Sequence, residues 1–135
     1  MKTKTDICPC SSGKRYDDCC KIFHEGKALP TALQLMRSRY SAYSKCLVHY
    51  IIETTDPLGP QYCRHLSDWK RSIIEFSRSH YFEKLEIIES MEESDSASVT
   101  FTAHVSLKGG QDVSFTEKST FSKNHGRWLY LSGTV

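Results

Sequence analysis

The stretch Ala97-Ser98-Val99-Thr100-Phe101-Thr102-Ala103-His104-Val105-Ser106-Leu107 alternates without a break. Val99, Phe101, Ala103, Val105 and Leu107 fall on one face, and Thr100, Thr102, His104 and Ser106 on the other. That is the period-two pattern of a strand buried on one side. Toward the C-terminus, Lys108-Gly109-Gly110-Gln111 reads as a hairpin loop. Residues 112–122 alternate again, with Val113, Phe115, Glu117, Ser119 and Phe121 on the shared face. Asn124-His125-Gly126 turns the chain into a last strand, Arg127–Ser132, with Leu129 and Leu131 set against Trp128 and Tyr130. Toward the N-terminus, a turn at Glu93–Ser96 follows a strand over 81–92 that carries Phe82, Leu85, Ile87 and Ile88.

The period changes before residue 80. Thr31 is an N-cap with Gln34 three residues on, the spacing of a capping box. From Thr31 to about Glu53, Ala32, Met36, Tyr40, Tyr43, Leu47, Tyr50 and Ile51 recur at helical steps and form one apolar arc. Gln34, Ser41, Lys45 and Val48 fall opposite, and Arg37 projects outward. Thr54–Pro60 breaks the helix, and a second helical stretch covers roughly 61–79, where Trp69, Ile73 and Phe76 share a face with Leu66 adjoining. Cys46 reads as a buried thiol of the first helix and Cys63 as a structural residue early in the second. Helices first and an antiparallel meander afterwards predict an α+β domain of two or three helices packed on a curved antiparallel sheet.

Two charged residues fall on faces meant for the core. Alternation places Glu117 between Phe115 and Phe121, and Arg39 lies on the flank of the helical apolar arc. A buried charge needs a partner. The two are expected to meet inside the domain, either as a structural ion pair or as groups that read a ligand in a pocket between helix and sheet, with Tyr40 and Tyr43 beside them.

At the N-terminus, Cys8-Pro9-Cys10-Ser11-Ser12-Gly13-Lys14-Arg15-Tyr16-Asp17-Asp18-Cys19-Cys20 holds four of the six cysteines. Four thiolates from so short a segment suit one tetrahedral ion, above all zinc, in a closed structural site. The alternatives are iron, or two disulfides, which adjacent cysteines and a C-x-C pair disfavour. Cys8, Cys10, Cys19 and Cys20 are therefore the expected ligands of one structural Zn2+ per chain, and His24 is expected to stay free of the metal. Ser11, Ser12 and Gly13 supply a tight turn.

Composition sets outer bounds. The 135 residues are 39% hydrophobic and 25% charged, and suit one domain with a small appendage. The net charge of +2 is too small to argue for nucleic acid, and the chain lacks an Arg/Lys run with interleaved aromatics. The first 27 residues hold six basic and four acidic groups. With about −2 from a zinc–tetrathiolate centre they are close to neutral. No apolar run approaches the ~20 residues that span a bilayer, and MKTKTDICPC has no apolar signal core. A cytoplasmic protein without a membrane role is expected.

The cysteine segment resembles the SEC-C motif, the zinc knuckle known from the C-terminus of the SecA translocation ATPase. The ligand positions correspond without a gap; Ser11 stands where that motif usually has Gly, and Asp17 and Asp18 where it is often basic. Leu35–Tyr43 (LMRSRYSAY), Thr54–Pro57 (TTDP), Glu117–Phe121 (EKSTF) and Gly126–Gly133 (GRWLYLSG) extend the likeness to the bacterial YchJ-like family, over nearly the whole chain. That resemblance implies a SEC-C knuckle over 1–24, a linker over 25–30 and, over 31–135, a cone-shaped α+β domain of the nuclear-transport-factor-2-like superfamily. Many relatives carry a second SEC-C motif after the GRW segment; this sequence, ending at Val135, shows none, so functions that need two are not expected.

Two functions are implied. SecA's knuckle contacts the chaperone SecB and ribosomes, so the first is a non-catalytic adaptor meeting a protein or ribosome through Lys14, Arg15, Tyr16 and Lys21. The second is a small-ligand-binding protein or enzyme that uses the cone cavity around Arg39 and Glu117, as isomerases and dehydratases of the superfamily do. The cysteine site has no open coordination position for catalysis. A monomer fits the polar outer face of the sheet, and superfamily relatives that pair across that face make a homodimer the alternative.

Overall fold

A computed structural model describes residues 7–135. Residues 1–6, with their part of the knuckle and signal-core readings, lie outside the described residues. Five residues, Cys20–His24, form a short helix α1 after a single 3-10 turn at Tyr16–Asp18. Then come α2 (Ala32–Lys45), α3 (Val48–Glu53) and α4 (Leu66–Ser79). The strands β1 (His80–Glu92), β2 (Ser96–Leu107), β3 (Phe115–Asn124) and β4 (Arg127–Thr134) follow as an antiparallel meander in the order β1-β2-β3-β4.

The sheet follows the alternation. Val99, Phe101, Ala103 and Val105 of β2 are all buried, and Phe121 of β3 joins them in one core with Leu35, Met36, Tyr40 and Ile51 of the helices. Phe101 pairs with Glu117 and Val99 with Ser119, so β2 and β3 present their inward residues side by side. His125 and Gly126 between β3 and β4 both take positive φ, as a two-residue hairpin turn that follows the strands' twist requires.

The predicted 31–53 helix is two. Cys46 takes φ 59 and ends α2, with its own amide donating to Tyr43 O and the Leu47 amide to Ala42 O. This paired closure turns the chain before α3 starts. Cys46 is thus a half-buried helix terminator rather than a buried thiol of a continuous helix. The N-terminus of α2 matches its reading: Thr31 Oγ1 accepts from Gln34 N, and Gln34 Oε1 accepts from Thr31 N. The second helix starts at Leu66, which leaves Cys63 in the preceding loop.

The wheel of α2 needs a second correction. Ser41, read as outward, is fully buried, as is Ser38. The knuckle covers them. Both long edges of the sheet are also occupied. The Leu85 amide of β1 donates to Ser11 Oγ at 2.9 Å, and Thr54–Asp56 runs along β4, exchanging hydrogen bonds with Tyr130 N and O at 2.8 Å each. Unpaired strand amides are thereby satisfied on each side.

Candidate metal centre and cavity

The four sulfurs of Cys8, Cys10, Cys19 and Cys20 lie within 4.8 Å of one another, the span of ligands about one tetrahedral ion. The local fold explains the convergence. Cys8 N donates to Lys14 O and Ile7 bridges Arg15, closing a small hairpin. Its turn needs positive φ at Ser11 (67) and Gly13 (86). Ser11 thus holds a strained position, and its hydroxyl is the one that takes the Leu85 amide. The 3-10 turn and α1 then bring back Cys19 and Cys20. Hydroxyls lie against the sulfurs from outside: Ser12 Oγ is 3.2 Å from Cys19 Sγ, and Ser41 Oγ is 3.8 Å from Cys8 Sγ.

The crowding sets the thiol chemistry. Hydrogen bonds from the Cys20 and Cys8 thiols hold Cys10 far below its ordinary pKa, and the same contact with Cys10 pushes Cys20 up. Burial pushes Cys19 up. A divalent thiophilic ion bound here would take the place of the thiol protons. The donor set fits a thiophilic metal. His24 stands apart from it: Tyr16 Oη donates to its Nδ1 at 2.7 Å, and its Nε2 donates to Ser38 O at 2.8 Å. Burial lowers the His24 pKa and favours this neutral, single-proton form.

The knuckle is docked rather than dangling. Arg37 Nη1 donates to Cys10 O at 2.8 Å, and Lys45 Nζ sits 4.0 Å from the Tyr16 ring centre. Among the residues expected to meet a partner, Tyr16 is thus held inward, and Lys21 lies 3.6 Å from Asp17 and 4.0 Å from Glu25. Lys14 and Arg15 are exposed, Arg15 within 3.9 Å of Asp17.

On the other side of α2 lies a partly open cavity of about 290 Å3. Met36, Arg39, Tyr40 and Tyr43 form one wall, Trp69, Ile73 and Phe76 of α4 another, and the inward residues of the sheet, Glu117 among them, the floor. All four residues expected at a cavity therefore line one, and Tyr40 is buried.

The expected ion pair does not form: among the described residues no salt bridge joins Arg39 to Glu117. The reason is local. Arg39 Nη1 donates to Ile51 O at 3.1 Å, Thr54 Oγ1 at 2.8 Å and Thr55 Oγ1 at 3.1 Å. It closes the C-terminal end of α3, where a cation is favoured. Its guanidinium stacks 4.5 Å from the Tyr130 ring centre. Burial presses the Arg39 pKa downward. Glu117 is half-buried; its Oε2 accepts from Ser119 Oγ at 2.7 Å and from Tyr130 Oη at 3.4 Å. Burial first, and Glu117 next, push the Tyr130 phenol up, so it stays a donor.

Two contributors escaped the sequence reading. A Cβ on Gly133 would collide with the Glu117 carboxylate and the Tyr130 hydroxyl, so bare backbone there admits the acid. TTDP supplies both hydroxyls on Arg39, and Asp56 braces it by accepting from Ser122 Oγ and Leu58 N. Thr-Thr after a helix is the visible signal; the sequence marks it as a helix break and as part of the family likeness, without pointing to Arg39.

The family model described as "YchJ, middle NTF2-like domain" matches residues 31–133. The chain belongs to the YchJ-like family. A UPF0225 protein of Xanthomonas campestris pv. campestris is 34% identical over 130 residues, covering 96% of this chain and 95% of that protein. The solution structure of a SEC-C motif containing protein from Rhodopseudomonas palustris superposes with a TM-score of 0.82 at 33% identity, covering 95% of this chain and 97% of that one. The crystal structure of a SEC-C motif containing protein from Psychrobacter arcticus gives 0.74 at 28% identity, covering 95% and 81%. This YchJ-like chain is therefore an α+β protein of the NTF2-like fold with a SEC-C cysteine cluster suited to a metal. Among the described residues no helix is long and apolar enough to cross a membrane.

Proposed function

We propose that this chain is a zinc-braced small-ligand-binding protein. The knuckle holds one Zn2+ as a structural ion and clamps one side of α2, and the other side of α2 forms a wall of the binding cavity. One observation carries the reading: a buried arginine lines a partly open cavity, and among the described residues no carboxylate is within salt-bridge distance of it. A buried cation tied to neutral oxygens alone is a receptor for a ligand's oxygen. The aromatic lining supplies the rest of a small-molecule site.

Native mass spectrometry of the untagged protein, with and without chelator, tests both halves. One zinc per chain is expected, with a small retained mass that Arg39→Met abolishes. Absence of metal under reducing conditions overturns the brace, and failure of any apolar probe to bind overturns the cavity reading.

A second reading, the adaptor, is favoured by the exposed Lys14 and Arg15 beside Ile7, which is 49% exposed. It keeps a protein or ribosome partner for the knuckle's outer side. Co-sedimentation with ribosomes that Lys14→Glu with Arg15→Glu abolishes would establish it; equal sedimentation of both forms would end it.

A further inference from the structure

We infer that the cavity takes a flat aromatic molecule, neutral overall, with an acceptor and a donor side by side: the class of aromatic carboxamides and lactams. The inference rests on the cavity reading above and names its ligand class.

The walls carry two opposite charges that do not pair with each other. Each is tied on one side only. Every hydrogen bond that Arg39 makes among the described residues leaves from Nη1, and both that Glu117 accepts from side chains fall on Oε2. The rest of the guanidinium offers donors and Oε1 offers an acceptor. Tyr130 fixes their spacing, since Arg39 lies over its ring and Glu117 meets its hydroxyl. Both charges thus lie against one lining residue, about a tyrosine's length apart. Gly133 leaves the space that Glu117 occupies.

Charge decides between ligand types. An anion would satisfy Arg39 and be set against Glu117; a cation would do the reverse. Either also brings a net charge into a low-dielectric site, whereas a neutral C=O beside N–H satisfies both groups and adds none. Much of the remaining lining is aromatic, with Trp69, Phe76, Phe82, Phe101 and Phe115 among it, and suits a flat ring. At about 290 Å3 the site is at the small end of ligand pockets.

The test titrates the zinc-loaded full chain with toluene, benzamide, benzoate and benzylamine at neutral pH, read by protein chemical shifts. Benzamide is expected to bind at least about tenfold tighter than the other three, the effect of one good hydrogen bond. In Glu117→Gln the gap between benzamide and benzoate is expected to close to about threefold or less, because the repelled anion gains. Toluene binding as tightly as benzamide overturns the polar class and leaves the cavity reading standing. So does benzoate binding tightest to the wild type. If none of the four binds, the cavity reading itself fails, and this class with it.

Discussion

Helix α2 has two working sides that hold their neighbours by opposite means. On one, Arg37, Ser38, Ser41 and Lys45 meet the knuckle through short polar contacts, and Ser38 and Ser41 are fully buried. On the other, Met36, Arg39, Tyr40 and Tyr43 face a cavity. The first side lets another backbone approach at the small Ser38 and Ser41, with Arg37 and Lys45 reaching over it; the second carries large residues that line a space. The knuckle's own buried cluster is little more than Cys8, Cys10 and Cys20 with Tyr16 and Cys19 around them. So small a core depends on its metal. On the proposed reading, a metal site stabilises a helix whose other side lines a cavity.

The largest way to break this contrast is to remove the ion. Cys10→Ser, or a chelator on the wild type, is expected to release the zinc and uncover Ser38 and Ser41. Metal binding in short knuckles is folding free energy, so the loss should reach several kcal/mol and lower the thermal midpoint by about 10 °C or more. Calorimetry with metal quantification checks it; an unchanged midpoint after complete metal loss would separate the two sides of the helix.

Arg39→Met sharpens the contrast from the cavity side. The oxygens that Arg39 leaves keep other partners, since Thr54 Oγ1 donates to Tyr50 O and Thr55 Oγ1 to Ile51 O. Denaturant unfolding should therefore show a loss of only about 1–2 kcal/mol, while benzamide binding disappears. A loss as large as that of the cysteine variant would make Arg39 a structural residue.

Enlarging each side by the same residue compares packing directly. Ser41→Val adds bulk against Cys8 and is expected to cost about 1–3 kcal/mol by overpacking. Ala103→Val projects into the cavity, where the added methyls meet space, and should change stability by less than about 1 kcal/mol. Equal costs on the two sides, measured by urea unfolding, would contradict the contrast. The smallest effect is expected for Lys45→Met, which removes the cation over Tyr16 and should cost about 0.5–1 kcal/mol; a double-mutant cycle with Tyr16→Leu isolates that contact.

Part of this is legible in the sequence. Alternation in β2 placed Val99, Phe101, Ala103 and Val105 in the core because apolar side chains at every second position report burial directly. The cysteine spacing named a converging set because thiols in that density have few other uses. The covered side of α2 was not legible. Ser38 and Ser41 are small and polar, and a helical wheel cannot tell a serine in water from one beneath a second element. The Arg39–Glu117 pairing failed for a related reason: complementary charge on facing elements predicts a meeting only when nothing nearer satisfies either group, and the end of α3 with the Thr54 and Thr55 hydroxyls was nearer. Cys46 ended α2 in a left-handed turn that no glycine announced.

Hydrogen exchange of the zinc-loaded and chelator-stripped protein, followed by peptide mass, tests the central claim most directly. If the ion braces the cavity wall, stripping it will lower protection across residues 8–24 and across 32–45 together, while β2 and β3 keep theirs. Loss of protection confined to 8–24, with 32–45 unchanged, would contradict the account: the knuckle would then be a bystander to the cavity.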